Sequence, residues 1–182
     1  MKMEKQIVSS EQFGIMIERL ANQLIENHGD FSNTILVGIQ PRGVEFSKRI
    51  LEKLNQISDN NIQSGNLDIT FFRDDFGRRD NPIEAQELDM NVSVEGKRVV
   101  LIDDVLFTGR SIRSAMDALL SFGRPKQVEL MVLIDRRLTR HLPIQPNYVG
   151  RTVDTILEEK VIVRWKSSES EDKIILINSE NE

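Results

Sequence analysis

The chain has no cysteine, which excludes disulfide staples and thiolate metal sites. Its two histidines, His28 and His141, are too few for a histidine-built metal centre, and His28, directly before Gly29, reads as a capping residue at a helix end. No apolar run is long enough for a signal or membrane-spanning segment, so a cytoplasmic chain with no membrane partner is expected. Positive charge is in deficit too. The 24 Lys and Arg against 29 Asp and Glu leave a formal charge of −5, which excludes a generally basic nucleic-acid coat and leaves room only for a local basic patch. There is no internal repeat, and the glycine spacings of a Walker P-loop and of a dinucleotide fingerprint are both missing. What remains is 182 residues, 39% of them hydrophobic: enough for one well-buried core and short for two, hence a single domain over residues 1–182.

The most informative stretch is residues 99–111, V-V-L-I-D-D-V-L-F-T-G-R-S. Four apolar residues in a row suit a parallel strand buried on both faces, and Ile112, Ala115, Met116, Leu119 and Leu120 then recur at helical spacing. The turn between them opens a helix, whose first N–H groups have no internal partner and whose dipole favours an anion. Gly109 permits a positive φ there, and Thr108 and Ser111 add hydroxyl donors. Asp103 and Asp104 would repel that anion, so they are matched to neighbouring hydroxyls such as those of a ribose. Strand alternation gives them opposite faces, one acid meeting the sugar directly and the other acting through water, a metal or backbone.

Ser9 and Gln12 have capping-box spacing before a helical repeat that stops at Gly29. Residues 34–39 form a second continuous apolar run that delivers Gln40-Pro41-Arg42-Gly43 to a further helix pattern. Ligands of open parallel sheets sit at the carboxyl ends of strands, so this loop is expected on the rim that carries Asp103. Arg42 supplies a fixed cationic fork, and Gly43 opens the turn for a bulky anion. Residues 67–72 alternate and read as a third strand, and residues 128–134 as a fourth. Between them, residues 73–92 match neither helix nor strand. A long polar loop holding Arg73, Arg78 and Arg79 reads as a lid or, equally, as a solvated loop. Pro143 and Pro146 forbid an ordinary helix in the segment after Arg137. Two late apolar runs, residues 161–165 and 174–177, read as a closing hairpin with Trp165 in its packing.

These residues carry a family resemblance. V-V-L-I-D-D-V-L-F-T-G-R-S resembles the phosphoribosyl pyrophosphate (PRPP) signature of type I phosphoribosyltransferases. G-I-Q-P-R-G is similar to their pyrophosphate loop, with Pro41 where Thr or Ser is commoner. F-R-D-D at 72–75, and D-A-L at 117–119 followed by G-R-P at 123–125, are similar to the branch that joins pyrimidine operon regulation to uracil phosphoribosyltransferase activity.

The resemblance implies an α/β fold, an open and mainly parallel sheet flanked by helices, with a flexible loop at about 73–92 and a small hood at about 135–160. It implies PRPP binding by Pro41, Arg42, Gly43 and by Asp103, Asp104, Val105, Leu106, Phe107, Thr108, Gly109, Arg110 and Ser111, with Asp103, Asp104 and Arg42 as the catalytic set. Mg²⁺ would come with PRPP and touch Asp103 or Asp104, Arg73, Arg78 and Arg79 would close on the pyrophosphate, and Asp135, Arg136 and Val161 would meet the base. The implied partners are PRPP, uracil, UMP and pyrophosphate, pyrimidine operon leader RNA met by Arg19, Arg137, Arg140 and Arg151, and further copies of the chain in a dimer or higher oligomer. The hood departs from the familiar D-R-G-H-R-E-L-P-I-R and reads D-R-R-L-T-R-H-L-P-I-Q. A glycine is gone, a residue is added, and Gln145 replaces a basic residue, which touches the RNA surface and leaves the PRPP signature intact. Three readings stand: a uracil phosphoribosyltransferase, an RNA-binding regulator that senses nucleotides, and a transferase for another base such as a purine, for which Tyr148 is the candidate platform.

Overall fold

The computed structural model describes residues 4–73, 93–156 and 158–178. Arg78 and Arg79, and nearly all of the expected flexible loop, lie outside them. Five parallel strands form the central sheet in the order β3-β2-β4-β5-β6, comprising β2 (Thr34–Ile39), β3 (Gln63–Leu67), β4 (Arg98–Leu106), β5 (Gln127–Arg136) and β6 (Tyr148–Val153). Continuous apolar runs suit this sheet because helices cover both faces. Leu36, Val100, Ile102, Met131 and Leu133 join a core with α1 (Ser10–His28) and α2 (Arg42–Ile57). Their neighbours Ile35, Val37, Val99, Leu101 and Val132 turn the other way, towards α3 (Arg110–Leu119).

The capping box at Ser9 forms as expected, its hydroxyl accepting from the Gln12 N–H and the Gln12 side chain accepting from the Ser9 N–H. Beside the main sheet, β1 (Glu4–Val8), β8 (Lys173–Asn178) and β7 (Glu159–Arg164) make a three-stranded antiparallel sheet. The late hairpin is β7 and β8, and Trp165 packs edge-on to Phe13 at 5.2 Å and against Phe46 at 6.3 Å. Trp165 therefore fastens the hairpin to α1 and α2.

Three expectations change. The strand expected at 67–72 lies earlier, at Gln63–Leu67, because Asp68 ends it: its carboxylate accepts from the N–H and hydroxyl of Thr70, and a 3-10 turn follows. An edge strand with one paired side tolerates the polar sequence Q-S-G-N-L. Part of the hood segment is sheet, since residues Tyr148–Val153 pair in parallel with β5 as β6. His28 does not cap α1. The Gly29 N–H closes the helix on the Ile25 carbonyl, and the His28 ring is buried against Thr34, Glu129 and Tyr148.

The chain runs outward from β2 to β3, then returns across β2 to β4 and continues to β5 and β6. The reversal falls between β2 and β4, and the loops after their carboxyl ends flank the crevice that such a reversal creates.

Candidate active site

The loop after β2 begins with Gln40, whose N–H donates to the Leu67 carbonyl at 2.9 Å, and continues through a cis Gln40–Pro41 peptide. Arg42 then opens α2 and Gly43 lies against β4, where a Cβ would run into the Ile102 carbonyl and the Asp103 backbone. Glycine at 43 thus serves close helix-to-strand approach more than room for an anion.

After β4, Gly109 adopts φ +89° and α3 starts with no side-chain cap and no acid in its first turn. Its first residues border a cleft of about 580 Å³ lined by Arg73, Asp103 and residues 105–112 and 114, and the Arg110 N–H donates to the Thr108 hydroxyl at 3.4 Å. A second cavity of about 460 Å³ adjoins it and is lined by Pro41, Arg42, Asp103, Asp104, Arg136 and Val161 among others. Asp103, Phe107, Ser111 and Arg73 border both. An anion at the α3 start and a second group beside Arg42 would therefore be bridged across Asp103.

The two acids meet at the second cavity, and only Asp103 extends to the first. Asp103 shares the α3-side cleft, while Asp104 lines only the Arg42 side and is 4% exposed. Burial pushes the Asp103 carboxyl well above the usual range, the Asp104 charge pushes it further, and Arg42 and the Asp104 N–H only partly oppose this. Burial also raises Asp104, with Arg42 opposing. Asp104 Oδ2 is buried with no hydrogen-bond partner among the described residues. Such a site is energetically incomplete without a ligand that supplies hydroxyls or positive charge.

On the far side, Arg136 is buried, donating to the Thr155 hydroxyl at 2.8 Å and to the Ile156 carbonyl at 2.9 Å, with its guanidinium 4.0 Å from the centre of the Phe107 ring. Asp135 turns away from the cavities to pair with Arg140.

Residues 3–167 match the phosphoribosyl transferase domain model. The chain is 43% identical over 179 residues to the bifunctional protein PyrR of Haemophilus ducreyi, covering 98% of this chain and 99% of that one. It is 40% identical over 173 residues to the bifunctional protein pyrR of Enterococcus faecalis, covering 95% and 96%. The chain belongs to the PyrR branch of the phosphoribosyltransferases. Among solved structures, a hypoxanthine phosphoribosyltransferase from Staphylococcus aureus superposes with a TM-score of 0.65 at 21% identity, covering 84% of this chain and 80% of that one. The two share the fold.

In this phosphoribosyltransferase the expected PRPP residues converge, except that Gly43 acts through packing. Arg73 reaches both cavities. Val161 and Arg136 line the second cavity, and Asp135 supports it through Arg140. The second cavity also takes in Gln40 of the same loop, and Ile69, Lys160 and Ile162, which carry no motif. Lys160 and Ile162 flank Val161 on β7, and only the placement of the small sheet brings them in. Tyr148 starts β6, at the opposite end of the sheet, and is buried with His28 and Glu129. It is no platform for a base.

The arginines expected at an RNA surface already have protein partners. Arg19 donates to the carbonyls of Val149 and Gly150, Arg137 pairs with Asp154 at 2.7 Å, and Arg151 donates to the Ile7 carbonyl at 2.7 Å. Arg140 is mostly buried, between Asp135 and the Phe107 carbonyl.

Among the described residues no group of three or more His, Cys, Asp or Glu side chains could hold a metal alone. The unpartnered Asp104 oxygen nevertheless suits Mg²⁺, which binds through one or two carboxylates together with substrate phosphates. No helix among the described residues is long and apolar enough to cross a membrane.

Proposed function

We propose that this phosphoribosyltransferase moves the ribose 5-phosphate group of PRPP to uracil, giving UMP and pyrophosphate, with Mg²⁺ travelling on the diphosphate. The observation that carries this reading is the pairing of one anion-binding helix start with one cationic loop across Asp103. A sugar phosphorylated at both ends spans such a pair. The amides of residues 109–111 and the hydroxyls of Thr108 and Ser111 take the 5-phosphate, and Arg42 takes the pyrophosphate. Asp103 and Asp104 receive the ribose hydroxyls in charge-assisted hydrogen bonds, Asp104 being also the residue that would hold the metal.

Breaking the anomeric C–O bond places positive charge on the sugar and negative charge on the departing pyrophosphate. Arg42 stabilises the latter and, in their ionised form, the two acids beside the ribose favour the former. Mg²⁺, held by Asp104, would add charge neutralisation to the leaving group. No protein nucleophile is needed, because the chain's work is to hold the base nitrogen and the anomeric carbon in line. Arg136, with the backbone around Val161, borders the base. Arg73, which borders both cavities, adds positive charge beside the pyrophosphate.

Purified protein offered PRPP and Mg²⁺ with uracil, hypoxanthine or guanine in separate reactions should release UMP from uracil alone. A purine consumed at a comparable rate would overturn the choice of base.

A second role is favoured by the name of the relatives, bifunctional PyrR, and by the exposed guanidinium of Arg137. In that role the chain binds pyrimidine operon leader RNA when loaded with nucleotide and works as a dimer or larger oligomer. Titration of leader RNA across a salt series should show affinity falling steeply with salt, as phosphate contacts require. A flat salt response would leave the enzyme alone.

A further inference from the structure

The PRPP loop is held from outside the cavity by the segment that follows β5, and every tie falls on three consecutive loop residues. Arg140 donates through one guanidinium nitrogen to the Phe107 carbonyl at 2.5 Å and through the other to Asp135. The N–H groups of His141 and Leu142 both donate to the Thr108 carbonyl, at 3.0 and 3.1 Å. Ile144 and Leu142 pack where a Cβ on residue 109 would stand. The Phe107 ring is covered by Arg136, which Thr155 and Ile156 hold in turn.

Carbonyl oxygens repel a phosphate, whereas N–H groups attract one. With the carbonyls of Phe107 and Thr108 engaged by donors outside the cavity, they are taken out of competition with the start of α3, whose residues line it. Within the loop itself the tie is a long hydrogen bond, from the Arg110 N–H to the Thr108 hydroxyl at 3.4 Å, beside a glycine at φ +89°.

We propose that Arg140 is a positioning residue for the 5-phosphate subsite: by bridging Asp135 and the Phe107 carbonyl it fixes the loop with its amides towards the phosphate. The assignment rests on the PRPP reading of the site. Arginine suits the task because its planar fork satisfies two acceptors in different directions at once, which a lysine ammonium on a single stem does less well. The same geometry makes Arg140 unavailable to an outside phosphate chain, since its side chain is 17% exposed and both ends of its fork are in use.

The test measures the two subsites separately in Arg140→Lys and Arg140→Met. Ribose 5-phosphate reports the phosphate loop, and pyrophosphate with Mg²⁺ reports the Arg42 loop, both by calorimetry. Expected is a loss of about tenfold or more in ribose 5-phosphate affinity and a matching rise in KM for PRPP. Pyrophosphate affinity should stay at the wild-type value. Millimolar guanidinium should restore part of the ribose 5-phosphate affinity to Arg140→Met, a response that lost stability alone would not give. Equal ribose 5-phosphate affinity in wild type and both variants overturns the positioning role, as does an equal loss for the two ligands. Wild-type protein that binds neither ligand overturns the PRPP reading instead. If Arg140→Met does not fold, the same comparison in Arg140→Lys decides.

Discussion

The two ends of the parallel sheet both bury carboxylates, and they treat them in opposite ways. At the amino-terminal edge, Glu129 accepts from the Tyr148 hydroxyl at 2.6 Å and from Arg98 at 3.1 Å, and lies 3.2 Å from His28, whose other ring nitrogen meets the Thr34 hydroxyl at 2.9 Å. At the carboxyl rim, Asp104 keeps one oxygen without a partner among the described residues, and Asp103 accepts from the Asp104 N–H at 3.0 Å. Burial alone would raise all three carboxyls. Hydrogen bonds from Tyr148 and Arg98, with the nearby His28, bring Glu129 below its ordinary value, whereas both aspartates stay above theirs. A satisfied network holds a fold together, and an unsatisfied one waits for a ligand.

The sharpest way to break this contrast is to remove the acid from the satisfied end. Glu129→Ala leaves the buried Tyr148 and His28 and the partly exposed Arg98 without their common acceptor and should cost about 3 kcal/mol, read as a lower urea midpoint. Activity per folded molecule should not change. A variant as stable as wild type would show that the network contributes nothing.

The converse change belongs to the rim. Asp103→Asn and Asp104→Asn should each lose about 1.5 to 3 kcal/mol of transition-state stabilisation, seen in kcat/KM for PRPP. Stability should move the other way. A raised carboxyl pKa means that ionisation opposes folding, so Asp103→Asn should melt above wild type at neutral pH. Wild-type kinetics in both variants would remove the acids from the reaction.

The smallest effect is a difference in slope with pH. Burial, helped by the Arg98 charge, holds His28 below its ordinary 6.5, while Glu129 opposes this without reversing it. With His28 and Glu129 both depressed, the unfolded chain binds the extra protons in acid, so their contribution is full above 6.5 and is lost as pH falls through the folded values. For Asp103 and Asp104 the native state binds the extra protons, so stability falls as pH rises from 3.8 through their raised values. Denaturation across pH should therefore flatten on the acid limb in Glu129→Gln and on the limb above 3.8 in Asp103→Asn. The reverse pattern would show that the two ends had been assigned the wrong way round.

The rim was legible in the chain because its chemistry is local. Residues 99–111 contain a strand, two acids and a helix start in one unbroken order, and residues 34–43 repeat the pattern with Arg42. The amino-terminal network was not legible, because His28, Arg98, Glu129 and Tyr148 meet only when four elements are aligned. Next to Gly29, His28 looks like a cap. Lys160 and Ile162 were hidden for the same reason, and Arg140 looked like surface charge because nothing in its neighbourhood announces Phe107. In β3 the polar residues of an edge strand misled, since only one side of it is paired and Leu67 alone is fully buried.

The same distance from local sequence explains Arg19. It was expected to face RNA, yet it reaches from α1 to two consecutive carbonyls of β6. That strand is the last in the sheet, and an open last strand is a template on which another chain can add itself. A guanidinium already seated on its main chain makes growth of the sheet beyond β6 compete with an existing bond. At high concentration, Arg19→Ala protein should lose solubility before it loses activity.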